Sequence, residues 1–204
     1  AEMVRDNALA ISGLLSTKMH GPPIYPPQPS GIWRHVGRNA PKYIAATNED
    51  RFRRGVYVVW RRGAPYVSFM NFDAPDRGAC VVRRARTNTP LQALTLLNDE
   101  AYIEMAMAFA GRILDEAKGT PEAKIDYAYK TALGRAPRAA EAIYLKKLLL
   151  KRRTHFEKNP KEADLLISGA KGWNPPEGMD KGDLAAWFFI ANILLNLDET
   201  ITKS

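Results

Sequence analysis

Between Asp73 and Asn88 the chain places two aspartates, its only cysteine and four arginines in sixteen residues, DAPDRGACVVRRARTN. Three chemistries can be drawn from those residue types. Arg77, Arg83, Arg84 and Arg86 present guanidinium forks that suit a carboxylate, sulfate or phosphate. Asp73 with Asp76, or Asp73 with Asp99, supplies paired carboxylates of the kind glycosidases use. Cys80 is a nucleophile only if a base lies nearby, and His20 and His35 are the candidates. Each has a plainer counterpart: arginines that pin an irregular loop by pairing with Asp73, Asp76 and carbonyls, an Asp73 that caps a turn, and a small buried cysteine.

The element that positions these residues begins immediately after them. Thr89 reads as a helix N-cap, Pro90 falls at the first helical position, and Gln92 completes a capping box. Leu91, Leu94, Leu96 and Leu97 give that helix apolar side chains to bury. The arginines, with Asp73 and Asn88, then stand at the end where the helix offers free N–H groups and the positive pole of its dipole. They form a candidate anion-binding site.

The charge pattern points the same way. From Arg51 to Arg86 there are nine arginines against two aspartates, a local excess of +7 within a net charge of +8 over 204 residues. An anionic partner suits such a segment. Hydrophobic content of 46% and charged content of 25% are those of a globular chain with a real core. No apolar run is long enough to span a bilayer, since Leu184–Leu197 is short and carries Asn192 and Asn196. One cysteine excludes an internal disulfide and a cysteine-based metal site, and the three histidines have no ligand spacing. Glycine-rich phosphate loops and a G-x-S-x-G elbow are absent.

Taken in order, residues 3–17 read as a helix, and 21–31 (GPPIYPPQPSG) as an extended proline strap fastened by Tyr25 and Trp33. Residues 34–50 read as loop. GVYVVW (55–60) and YVSFMNF (66–72) have strand composition, with Arg61–Pro65 as a hairpin turn; a helix from Asp50 through Trp60 is the rival. Further helices are expected from Asn98 or Asp99 to about Ala117, from Pro121 to Gly134, from Pro137 to Arg153, over 160–168, and from about Asp183 to the apolar C-terminal stretch. The expected fold is mainly α. It is a single-domain multi-helix bundle over 1–204, with strap and loop at 21–50, a basic segment with a small β-hairpin at 51–86, and helices over 87–204.

With these residues in view, the chain resembles a family of unknown function, the C-terminal domain family 1553 of planctomycete surface and cytochrome c-type proteins. The segments that carry the resemblance are RDNALAISGLL, GPP…QPSGIW, RRGVYVVWRR, FDAPDRGACVVRRARTNTPLQALTLLND, ALGRAP and ILLNLDETITKS. It implies a larger exported parent, with an upstream helical domain and often a haem-binding C-x-x-C-H region outside this chain, in a polysaccharide-related setting. It implies no catalytic residue and no cofactor within the chain itself. Three functions follow. The foremost is a non-catalytic module that docks other domains of its parent or binds an acidic polysaccharide through the arginines and exposed aromatics such as Trp33, Trp60 or Tyr66. A carbohydrate hydrolase using Asp73 and neighbouring acids is the alternative. Nucleic-acid binding ranks last, since no recognition motif supports it and an exported setting argues against it.

Overall fold

A computed structural model describes residues 1–35 and 42–202; the expected loop at 34–50 therefore lies partly outside the described residues. The described residues form nine α-helices: α1 Glu2–Ser12, α2 Val67–Asn71, α3 Pro90–Asn98, α4 Glu100–Glu116, α5 Pro121–Leu133, α6 Ala139–Lys158, α7 Pro160–Ser168, α8 Lys181–Leu195 and α9 Asp198–Ile201. The mainly helical reading holds.

Local signals set most helix boundaries. Thr89, Asp99, Thr120 and Asp180 each cap a helix by accepting from a first-turn N–H. α1 stops at Ser12, short of the expected residue 17. Gly13 takes a left-handed conformation (φ 79°) there, a place where a side chain would be strained. α6 runs five residues past Arg153, to Lys158, before Asn159 and Pro160 break it.

The core is built around α8, whose Leu184, Ala185, Ala186, Trp187, Ile190, Ala191 and Leu194 are fully buried. Apolar residues on nearly every side of α8 require neighbours all round it, and α4, α6, α7 and α5 supply them. α4 carries small residues at Ala106, Ala108, Ala110 and Gly111, and it also packs against α1. A Cβ on Gly111 would lie 2.6 Å from the Trp173 ring, so this glycine is what lets the indole rest on α4.

The β-hairpin does not form. Gly55–Tyr57 is a single 3₁₀ turn, YVSFMNF is helical over Val67–Asn71, and Glu49–Phe52 is a separate 3₁₀ turn rather than the start of a helix to Trp60. Strand composition is overruled by packing here. Tyr66 and Phe69, three residues apart, turn inward together with Ile24, Val58 and Ala74 to make a small second core. The only strand-like pairing among the described residues is two isolated bridges, Ser16 to Arg53 and Ile24 to Val58.

Through the second bridge the proline strap lies on the 3₁₀ segment: Ile24 N–H donates to Tyr57 O (2.8 Å) and Val59 N–H to Ile24 O (2.9 Å). Tyr25, Trp33 and Tyr43 meet edge to face at 5.0–6.1 Å, and Trp33 Nε1 donates to Ala64 O at 3.2 Å. Tyr25 and Trp33 thus fasten the strap as expected.

Candidate functional site

The loop before α3 is held at its neck by one network. Asp73, in a left-handed conformation (φ 60°), accepts from Thr87 N–H at 2.8 Å and from the Thr87 hydroxyl at 2.9 Å. Gln92 Nε2 donates to that hydroxyl at 3.0 Å, while Gln92 Oε1 accepts from Thr89 N–H at 3.2 Å. The capping box and the loop neck are therefore one structure, and the residues between them, 76–88, are all exposed. Asp76 accepts from Gly78 N–H at 2.8 Å, closing a turn beside Arg77, itself left-handed at φ 62°.

The four arginines go to different places. Arg77 lies 4.4 Å over the Trp60 ring. Arg84 pairs with Glu2 Oε2 at 2.6 Å, at the start of α1. Burial pushes the Glu2 carboxyl up, but the Arg84 hydrogen bond and charge, with the N-terminal amine, carry it below its ordinary value. Arg83 and Arg86 are exposed and make no ion pair among the described residues. Asn88 lines a separate shallow cleft of about 90 Å³ with Gln92, Asn196, Asp198 and Ile201. Neither this cleft nor a second one, between Leu114 and Asp183, is lined by any of the four guanidiniums.

The wider basic segment is partly consumed inside the fold, a distribution its composition does not reveal. Arg51 and Arg53 are 6% and 1% exposed. Arg51 grips Glu104 with Nε at 2.9 Å and Nη2 at 2.6 Å, and Arg53 donates to the carbonyls of Lys18 and Pro22 at the entrance to the strap. Arg5 is 1% exposed and donates to the carbonyls of Arg51 and Arg53 at 2.7 Å each. Two of the segment's nine arginines, Arg51 and Arg53, are thereby matched inside the fold. Of the aromatics offered for sugar stacking, Tyr66 is buried, Trp60 is covered by Arg77, and Trp33 is half-buried with Arg61 over its ring.

The hydrolytic residues are each occupied with backbone. Asp73 closes the neck, Asp76 its turn, and Asp99 caps α4 by accepting from Ala101 N–H at 2.9 Å. Cys80 is exposed rather than buried and is in no hydrogen bond among the described residues. His20 immediately precedes the strap, and the His35 side chain falls outside the described residues. No group of three metal-ligating side chains occurs among the described residues.

Asp99 offers a pH test. Burial raises its carboxyl above the ordinary value, against the opposing pull of the Ala101 N–H. The folded chain therefore holds that proton more tightly than the unfolded one. This contribution is complete below the unfolded carboxyl range and is lost as pH rises through the folded value. Asp99→Asn keeps a good capping oxygen and drops the charge. It is expected to raise stability at pH 7 by about 1 kcal/mol or less, the scale of a single cap change. The gain should shrink toward zero at pH 3, as read by urea unfolding at both pH values.

The composition also hides the outer face of α3. Of its four leucines only Leu96 is buried; Leu91, Leu94 and Leu97 are 55%, 56% and 40% exposed. Helical geometry alone could have shown this, because Leu94 and Leu96 lie about 200° apart around the axis and cannot both face one core. Val81 and Val82, in the arginine loop, are exposed as well, Val82 completely. What the geometry assembles is an open leucine ridge preceded by an open basic loop, both fixed to the same capping network.

No curated protein and no solved structure matches the chain. A family described as "Protein of unknown function (DUF1553)" matches residues 1–149, from α1 through the arginine loop and α3 into α6. The chain thus belongs to the DUF1553 family of proteins of unknown function, and the loop and ridge lie wholly inside the matched region.

Proposed function

We propose that this domain is a non-catalytic docking module whose partner, another domain of a larger exported protein, seats on the leucine ridge of α3 and is steered by the arginine loop. The observation that carries this reading is the exposure of Leu91, Leu94 and Leu97 on one short helix. Single exposed leucines are ordinary; three on nine residues make an apolar patch of the kind that marks an interaction site. Arg83 and Arg86, exposed in the loop that leads into α3, add positive charge, so the complementary surface pairs an apolar centre with acidic residues. The covered aromatics favour a protein partner over a polysaccharide for this face.

The experiment uses Cys80 as a unique labelling position. A fluorophore there reports binding when the remainder of the parent polypeptide, separately expressed, is titrated in. Leu94→Lys is expected to weaken binding at least about tenfold while leaving thermal unfolding unchanged, because Leu94 supports nothing in the core. A sulfated and a neutral polysaccharide are titrated in parallel across a salt series. Binding of the sulfated one alone, lost in Arg83→Ala/Arg86→Ala and kept in Leu94→Lys, would move the site's ligand to an acidic glycan. Binding of the parent segment that Leu94→Lys leaves intact would remove the ridge from the account.

A further inference from the structure

A second face, on the opposite part of the chain, has a different character. α6 is twenty residues long, yet only Leu145, Leu149 and Phe156 of it are buried. On its outer side Ile143, Tyr144 and Leu150 are 69%, 63% and 52% exposed. Ile143, Lys147, Leu150 and Thr154 follow one another at spacings of four, three and four, which lays them along a single straight seam of the heptad type. Tyr144 and Lys151 flank it.

The cations of α6 divide sharply. Lys146 pairs with Glu122, Arg153 with Asp183 at 2.6 Å, and Arg152 lies 3.8 Å over the Phe189 ring. Lys147, Lys151 and Lys158 are exposed and have no acidic partner among the described residues. Glu157 is the one acid among the helix's exposed positions. The charges left unmatched are therefore those on or beside the apolar seam.

We infer that the outer face of α6 is a docking seam for an acidic amphipathic helix of a partner, with Ile143 and Leu150 as apolar anchors and Lys147 and Lys151 meeting its carboxylates. A lysine between two apolar anchors sets register when an acid faces it, because any other register leaves the ammonium against apolar surface. A second copy of this chain is a poor occupant, since pairing the face with itself brings together two faces that each carry Lys147, Lys151 and Lys158 against the single exposed acid Glu157. A bilayer surface is another poor occupant. Interfacial helices keep their lysines on the polar side, whereas Lys147 lies within the apolar line itself.

The test uses the full chain and a fluorescent synthetic helix with leucines at its seam positions and glutamates beside them. A matched helix carrying lysines in place of the glutamates is the control. The acidic helix is expected to bind and the basic one not. Lys147→Glu/Lys151→Glu should reverse this preference, weakening the acidic helix at least about tenfold and admitting the basic one. Ile143→Asn should weaken the acidic helix too, which separates seating in the seam from general charge attraction. Thermal unfolding of the variants should stay close to that of the wild-type chain, as these side chains are exposed and lie outside the core. Equal binding of the acidic helix to the wild type and the charge-reversed variant overturns the inference, as does no binding to either. Lysine-dependent sedimentation with phosphatidylserine vesicles but not with phosphatidylcholine vesicles, without helix binding, would overturn it in favour of a lipid surface.

Discussion

Glu104→Ala is expected to cost about 3–5 kcal/mol of folding stability, the penalty for leaving one member of a buried ion pair without its partner. Glu104 is 1% exposed and Arg51 is 6% exposed, so little water is available to solvate the guanidinium that remains. The surviving contacts of Arg51, to Ala46 O at 3.2 Å and Glu100 Oε1 at 3.4 Å, are longer than the Glu104 contacts and do not replace two charge-assisted bonds. Removing both charges, as Arg51→Met/Glu104→Leu, should recover most of the loss, since apolar groups of similar volume carry no desolvation penalty. A single-variant loss together with a double-variant recovery identifies the pair as a geometric lock rather than a net source of stability. Equal losses in both, measured by urea unfolding with unchanged m-values, would contradict that.

The lid over this pair gives an independent check. A Cβ on Gly172 would lie 2.1 Å from Glu104 Oε1 and 2.3 Å from Arg51 Nε. Those atoms end flexible side chains, but here they are clamped to each other, so Gly172→Ala must either pry the pair apart or lift the 170–180 loop. In the Arg51→Met/Glu104→Leu background that clamp is gone, and Gly172→Ala should be tolerated better than in the wild type. Non-additivity of this kind is expected where side chains share one site.

What the sequence discloses and what it conceals follow from the range of the forces involved. Helix starts at Thr89-Pro90, Thr120-Pro121 and Pro160 are decided by neighbours within three or four residues, and the structure has helices beginning at those points. The fate of an arginine is decided elsewhere. Arg51 meets an acid 53 residues away, and Arg5 meets carbonyls 46 and 48 residues away. Counting charge along the chain therefore overstated the free positive charge of the 51–86 segment. The same limit explains the hairpin: Tyr66 and Phe69 have strand-forming side chains, but Ile24 and Val58 present them with a core that a short helix fills. Of the candidate site, Asp73 and the arginine loop were visible as a cluster of types. That their carboxylates serve the backbone, and that three leucines face outward, depends on where α3 lies against the bundle.

Arg53→Lys is expected to cost about 1.5–3 kcal/mol, the scale of a hydrogen bond to a charged group, and to loosen the strap before the bundle. Arg53 is 1% exposed, lies 4.2 Å over the Tyr57 ring, and donates to the carbonyls of Lys18 (3.3 Å), His20 and Pro22 (3.5 Å) and to Asp50 Oδ1 (3.4 Å). One planar fork thus holds three carbonyls at the entrance to the strap, Lys18, His20 and Pro22, where proline composition prevents the strap from pairing as a strand. Lysine keeps the charge but delivers its donors from a single point, so it cannot span those carbonyls. His20, held at φ 64°, depends on the same anchor, because a left-handed non-glycine conformation persists only where its surroundings enforce it. Hydrogen exchange should therefore speed up at Ile24 and Val59, whose N–H groups join the strap to the 3₁₀ segment, while α4 and α8 keep their protection until global unfolding. Uniform acceleration across α4, α8 and the strap would show that the strap and bundle unfold as one unit and that Arg53 does not hold the strap as a separable layer.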